Sequence, residues 1–270
     1  LINVIIYGNG FIGNRLSNYL NCPVIENKKL TVQDVINDIK NTKSNVLINC
    51  IGKTGVENVD ECENNIDQTL ESNCLVPLVL YEACIRTKTK FIHFSTGCIY
   101  NYDYSIDKPF VEEVIPDFYE LFYSRTKIYS EMSLKHAPNT LLIRPRIPID
   151  YIPHSRNLLT KLLTFKNIIN IKNSITYIPH MLDAIKHLID IEATGIYNVV
   201  SQGGITYPEI LDIYQQRKNV KIDYNIISFE QLKMVRTNLL LSTNKLYSSG
   251  FQIKNVYDAV EECIDKYKGD

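Results

Sequence analysis

A chain of 270 residues with 45% apolar composition can bury a full core, and its length suits one domain or one domain with a smaller lobe. With 29 basic against 30 acidic residues and no long run of either sign, a nucleic-acid surface and a polybasic membrane anchor are excluded, leaving small molecules as the expected partners. No apolar run approaches the roughly 18 residues of a membrane span. Seven cysteines, odd in number and without Cys-x-x-Cys spacing, point to a reducing cytoplasm and to no metal site. A soluble chain without a signal peptide is expected.

The first expected strand, Ile2 to Tyr7, runs straight into Gly8-Asn9-Gly10-Phe11-Ile12-Gly13, which opens a helix reaching about Asn21. Glycines let the backbone turn tightly and approach a pyrophosphate, which the helix N-terminus attracts. The strand-turn-helix context favours a dinucleotide turn over a plain tight turn. A short strand over Pro23 to Glu26 leads to Asn27-Lys28-Lys29, where the adenosine ribose lies in a fold of this type. Either Lys28 and Lys29 hold a 2′-phosphate or Glu26 accepts a ribose hydroxyl, so NADPH is the expected cofactor and NADH the alternative.

A helix over Thr31 to Asn41 precedes a buried strand at Val46 to Gly52, whose carboxyl end should line the cofactor through Asn49, Cys50 and Gly52. The segment from Gly55 to Glu63 then enters a long helix that carries Asn73 and ends near Thr87. A strand at Lys90 to Ser95 delivers Thr96 and Cys98, a helix carries Tyr123, and a strand follows at Leu141 to Arg144. This alternation predicts an α/β fold: a Rossmann-type, doubly wound, mainly parallel sheet with helices on both faces. Pro145-Arg146-Ile147-Pro148 turns the chain outward. Beyond it come a helix containing Asn157 and Lys161, a segment at 168–177, a helix at 180–191, a strand at 195–200, and helices after Thr206 and Asn255. The expected division is a dinucleotide-binding domain over 1–148, to which 180–200 returns, and a smaller substrate-binding lobe from 149–179 and 201–270.

Tyr123 and Lys127 stand four residues apart on their helix, so both side chains leave one face: a proton donor beside a fixed cation. A neighbouring ammonium favours phenolate and brings the tyrosine closer to proton transfer at neutral pH. The pair alone is compatible with an ordinary amphipathic helix. Its company, the glycine turn and the Ser95-Thr96 pair ending an apolar run, favours chemistry.

These residues resemble the extended short-chain dehydrogenase/reductases, and within them the bifunctional epimerase/reductases of UDP-rhamnose synthesis, with homologues in plants and in a giant DNA virus. That group's Ala-Thr-Gly-Cys-Ile-Phe-Glu-Tyr-Asp is matched by Ser95 to Asp103, and its Tyr-Ser-Lys-Thr-Lys by Tyr123 to Lys127. Its Pro-Asn-Val-Asp-Trp-Cys-Glu is similar to Glu57 to Glu63, without the proline and tryptophan, and its glycine turn is one residue longer than this one. Its Arg-Asn-Phe-Ile-Thr-Lys is similar to Arg156 to Lys161, and its Arg-Ser-Asn-Asn to Arg236 to Leu239.

The resemblance implies conversion of UDP-4-keto-6-deoxyglucose to UDP-rhamnose by epimerisation at C3 and C5 and reduction at C4. Tyr123 then donates a proton to the C4 oxygen, Lys127 holds the nicotinamide ribose, and Thr96 bonds the carbonyl oxygen. Cys98 and Lys161 are implied as the epimerisation acid and base, and Asn157 and Arg236 as contacts of the UDP moiety. On their own chemistry Thr96 reads equally as a strand-end hydroxyl, Cys98 as a small buried hydrophobe and Lys161 as a solvated lysine. The rival functions are a dTDP-4-dehydrorhamnose-type reductase without epimerase activity, and a non-catalytic regulatory subunit of the same fold. A homodimer is left open.

Overall fold

The computed structural model describes residues 2–26, 30–55, 58–101, 108–232 and 235–269. The chain begins β1 (Val4–Tyr7), α1 (Phe11–Leu20), β2 (Val24–Ile25), α2 (Val32–Thr42), β3 (Val46–Asn49). After a 3-10 helix at Val59–Asn64 come α3 (Ile66–Leu70), a π turn at Glu71–Leu75, α4 (Val76–Thr87), β4 (Lys90–Phe94), α5 (Phe122–Leu134) and β5 (Thr140–Arg144). The rest is β6 (Pro148–Ile149), α6 (Leu158–Leu162), β7 (Asn167–Ile169), β8 (Thr176–Tyr177), α7 (Ile178–Asp190), β9 (Gly195–Asn198), α8 (Tyr207–Lys218), β10 (Asn225–Ile227), α9 (Asn244–Ser248) and α10 (Val256–Lys266). No helix among the described residues is long and apolar enough to cross a membrane.

The chain divides into two compact units. The first takes residues 1–99, 118–144 and 186–197 and contains a six-stranded sheet in the order β2-β1-β3-β4-β5-β9. Pairings from β2 through β5 are parallel, as the alternation of strands and helices requires. Strands β3, β4 and β5 are buried along their whole length, which explains why they read as unbroken apolar runs rather than as alternation. One sheet face, through Ile5, Leu47, Phe91 and Leu142, packs on Val35 and Ile39 of α2 and Leu80 and Ala83 of α4. Truncating a core leucine such as Leu47 to alanine should cost about 2–5 kcal/mol.

Thr31 starts α2 with a capping box: its hydroxyl accepts from Asp34 N, and the Asp34 carboxylate accepts from Thr31 N. The long helix expected up to Thr87 is instead broken into a 3-10 turn, α3, a π turn and α4. Pro77 offers no N–H to the carbonyl of residue 73 and crowds it, and the π turn at Glu71–Leu75 relieves both problems.

The second unit takes residues 100–117, 145–185 and 198–270. Its core joins Ile149, Leu159 and Leu162 to Leu211 of α8 and Val256 and Val260 of α10. Two small parallel pairs, β6 with β8 and β7 with β10, supply its strands. Ile147 takes φ +38°, unusual for a β-branched residue, where the chain turns between Arg146 and Pro148.

Candidate active site

In the first unit, chain order leaves β1 to one side for β2 and to the other for β3, so β1 and β3 flank the point where ligands bind in open α/β sheets. The glycine turn lies there. Gly8 takes φ +104°, and a Cβ on it would fall 2.8 Å from the Cys50 carbonyl carbon and the Ile51 nitrogen. A Cβ on Gly13 would fall 1.8 Å from the Gly8 oxygen. Gly10, by contrast, has nothing within 4 Å of where its Cβ would stand, and it begins α1 without a side-chain cap or an acidic residue in the first turn. This open cradle at a helix N-terminus fits the pyrophosphate of a dinucleotide. Asn9 is exposed, with its carbonyl accepting from Asn14 Nδ2 at 2.6 Å, Ile12 is half-buried, and Phe11 is buried in the protein.

Two residues expected to line a cofactor are turned to the protein instead. Asn49 is wholly buried, its Oδ1 accepting from Ile51 N at 2.9 Å and its Nδ2 lying 3.0 Å from His93 Nδ1. Asn73 is also wholly buried: Oδ1 accepts from Lys53 N at 2.7 Å, while Nδ2 donates to Lys53 O at 3.1 Å and Thr126 Oγ1 at 3.0 Å. Both amides are spent on shaping the loop after β3, so these side chains position the site rather than line it. Cys50 is half-buried beside Gly8, and burial pushes its thiol pKa up. Gly52 leaves space for an ammonium, since a Cβ there would lie 3.4 Å from Lys127 Nζ.

Glu63 reaches 59 residues along the chain to start α5: its Oε1 accepts from Phe122 N at 2.6 Å. Tyr123, 8% exposed, packs with Cys62 and Phe122, and Cys98 lies against the same cluster. One turn on, Lys127 is 4% exposed and donates from Nζ to the Phe94 carbonyl at 2.9 Å. Burial draws its pKa down to about 8, while Cys74, Cys50 and Glu131 push back. The Thr96 hydroxyl accepts from Cys98 N at 3.1 Å, which uses a lone pair and leaves its own proton to donate. Ser124 Oγ donates to the Cys98 carbonyl at 2.6 Å, fixing that turn to α5. The first unit thus brings together Thr96, Cys98, Tyr123 and Lys127, two hydroxyl donors with a thiol and a buried cation.

The remaining expected residues belong to the second unit. Lys161 is half-buried at the end of α6. Asn157, expected to touch the UDP moiety, is wholly buried and spent on its own loop. Its Oδ1 accepts from Asp150 N and Leu159 N, and its Nδ2 donates to the carbonyls of Asp150 and Ile152, so it caps α6 rather than facing a ligand. Arg236 is half-buried, and the neighbouring Thr237 is held by Arg146, whose guanidinium donates to the Thr237 carbonyl and hydroxyl and to Asn173 Oδ1. Lys28 lies outside the described residues. Sequence reading missed the cap from Glu63 and the anchor from Arg146, because both act across long separations that leave no local signature.

Residues 17–168, more than half of the chain, match the family model described as the RmlD substrate binding domain, and the chain belongs to that family. A protein of Arabidopsis thaliana, the bifunctional dTDP-4-dehydrorhamnose 3,5-epimerase/dTDP-4-dehydrorhamnose reductase, is 29% identical over 277 residues, covering 97% of this chain and 92% of its own. The crystal structure of the L780 UDP-rhamnose synthase from Acanthamoeba polyphaga mimivirus superposes with a TM-score of 0.91 at 26% identity, covering 98% of this chain and 99% of its own. The dTDP-4-dehydrorhamnose reductase of Bacillus anthracis, solved in complex with NADP, shares the fold at a TM-score of 0.83 and 19% identity, with 98% of each chain covered.

Proposed function

We propose that this protein is an NADPH-dependent reductase of a 4-keto-6-deoxy sugar nucleotide that also epimerises C3 and C5, converting UDP-4-keto-6-deoxyglucose to UDP-rhamnose. The observation that carries this reading is the grouping of Tyr123, Lys127 and Thr96 at the carboxyl end of β4, within reach of a glycine cradle through Gly52 and Cys50. Gly8 to Gly13 would hold the pyrophosphate and Lys127 the nicotinamide ribose, and the bound nicotinamide would supply hydride to C4. Tyr123 gives its proton to the C4 oxygen, and the Thr96 hydroxyl donates to that same oxygen as charge develops. The relatives are named for both UDP and dTDP sugars, and the mimivirus protein supports UDP.

Epimerisation uses the same donors. A C4 ketone acidifies the C–H bonds at C3 and C5, and Thr96 and Tyr123 stabilise the enolate. Inversion needs one group to remove a proton and another to return one to the opposite face of the ring. Cys98 and Lys161 are the groups assigned to that work, and Arg236 is assigned to the diphosphate. All seven cysteines carry free thiols, which supports operation in a reducing compartment such as the cytoplasm. Packing of Cys98 against an apolar cluster favours one rival, a reductase that receives an already epimerised sugar.

The test is incubation with NADPH and UDP-4-keto-6-deoxyglucose, its dTDP counterpart, or either sugar nucleotide already epimerised at C3 and C5, with the product identified by NMR. Rhamnose formed from an unepimerised sugar supports the bifunctional reading, rhamnose formed only from an already epimerised sugar reduces it to a reductase, and no oxidation of NADPH with any of them removes it.

A further inference from the structure

Ser124, Lys127 and Glu131 follow one another on α5 at spacings of three and four, so they share one stripe of the helix. Each is received by the chain between Phe94 and Cys98. Ser124 bonds the Cys98 carbonyl and Lys127 the Phe94 carbonyl, while Glu131 Oε2 accepts from Ser95 Oγ at 2.5 Å. The same carboxylate is gripped from β5 by Arg144, with Nε 3.0 Å from Oε2 and Nη2 2.5 Å from Oε1. Glu131 and Arg144 are each 1% exposed and Ser95 is 4% exposed. Ser95 N in turn donates to the Ile143 carbonyl, beside Arg144. One buried carboxylate therefore ties α5, the end of β4 and the end of β5 together.

A buried ion pair is a poor device for stability alone, because apolar residues of similar volume often do as well. What a bidentate guanidinium-carboxylate pair adds is direction. The elements joined here carry Thr96, next to Ser95, and Lys127, one turn from Glu131. We propose that Glu131 and Arg144 are a positioning pair that holds the helix of Tyr123 and Lys127 in register with the strand that presents Thr96. The pair acts through these residues and touches no substrate, and its effect on turnover rests on the reductase reading of the site.

The test compares the parent enzyme with the double variant Glu131→Met/Arg144→Met, which removes both charges at similar volume, and with Glu131→Asp, which keeps the charge and draws the carboxylate back by one methylene. For each, thermal unfolding, NADPH affinity, kcat, KM and the crystal structure are determined. The double variant should unfold near the parental temperature and lose roughly 100-fold in kcat with little change in KM for the sugar, its NADPH affinity falling no more than about tenfold through the displaced Lys127. Its crystal structure should show Lys127 Nζ displaced from the Phe94 carbonyl. If the double variant does not fold, Glu131→Asp carries the test through a fall in kcat of about tenfold at parental cofactor affinity. A folded variant with parental kcat and an unchanged Lys127–Phe94 bond makes the pair merely structural. Should the parent reduce no 4-keto sugar nucleotide, the functional reading fails by itself, and the Lys127–Phe94 separation in the variant crystals still decides the register.

Discussion

Lys127 is held against the end of β4 by a 2.9 Å hydrogen bond from its Nζ to the Phe94 carbonyl, and burial draws its pKa down to about 8. The cation that the site needs is then lost within the range of ordinary assays. With Lys127 protonated below pH 8 and neutral above it, kcat/KM for ketone reduction should fall as pH rises through about 8. The folding contribution runs the other way. The folded pKa lies below the ordinary 10.5, so the unfolded chain holds the proton longer. Stability should gain up to about 1.4 kcal/mol per pH unit from this group between the two values. A kcat/KM profile flat to pH 10 would contradict the assignment.

Gly10 and Gly13 separate cofactor binding from folding. Gly10→Ala meets no protein atom within 4 Å, so the thermal transition should stay within a few degrees of the parent while NADPH affinity drops by roughly tenfold or more, because the methyl enters the anion cradle. Gly13→Ala places a methyl 1.8 Å from the Gly8 oxygen and should disturb folding as well as binding. Calorimetric titration with NADPH beside thermal unfolding reads both. Unchanged affinity in folded Gly10→Ala moves the pyrophosphate elsewhere.

Asn73→Ala removes three hydrogen bonds of a buried side chain and leaves Lys53 N without its side-chain acceptor. The expected loss is on the order of 2–4 kcal/mol in urea unfolding. Because the loop it clamps joins Gly52 to Lys53, cofactor affinity should weaken in the same variant. A loss below about 0.5 kcal/mol would mean that the loop is held without Asn73.

The parallel sheet was readable because unbroken apolar strands alternate with helices, and Tyr123, Lys127 and Thr96 could be chosen because the spacing of the first two on one helix and the place of Thr96 at a strand end are local facts. Helix details were less accessible. The π turn before Pro77 answers to one crowded carbonyl within a sequence that otherwise reads as continuous helix. The three-residue β10 and the five-residue α9 are too short to establish a period. Asparagines misled in one consistent way: Asn49, Asn73 and Asn157 have the chemistry of ligand contacts, but each is buried and bonded to backbone or side-chain groups of its own unit. Glu131 and Arg144 carry no local signature and meet only because the fold sets α5 beside β5.

On the proposed function, Cys98 and Lys161 are the residues through which inversion of C3 and C5 is tested. In D2O without reduced cofactor, the parent should exchange the protons at C3 and C5 of UDP-4-keto-6-deoxyglucose, and Cys98→Ala should exchange neither, while still reducing an already epimerised 4-keto sugar. Lys161→Ala should be impaired at one or both carbons. Exchange at parental rates in Cys98→Ala would leave the thiol a packing residue beside Cys62 and Phe122.

On the proposed function, Tyr123 protonates the C4 oxygen as the bound nicotinamide gives up its hydride. Tyr123→Phe removes only the phenolic hydroxyl from a side chain packed with Cys62 and Phe122, so fold and cofactor binding should persist. The decisive measurement follows deuterium from C4-deuterated NADPH into the sugar by NMR, at saturating cofactor, for the parent and for Tyr123→Phe. Deuterium should appear at C4 of the product sugar with the parent, and at a rate roughly 100-fold or more lower with the variant. Transfer by Tyr123→Phe within about threefold of the parental rate, or label at any carbon other than C4, would contradict it.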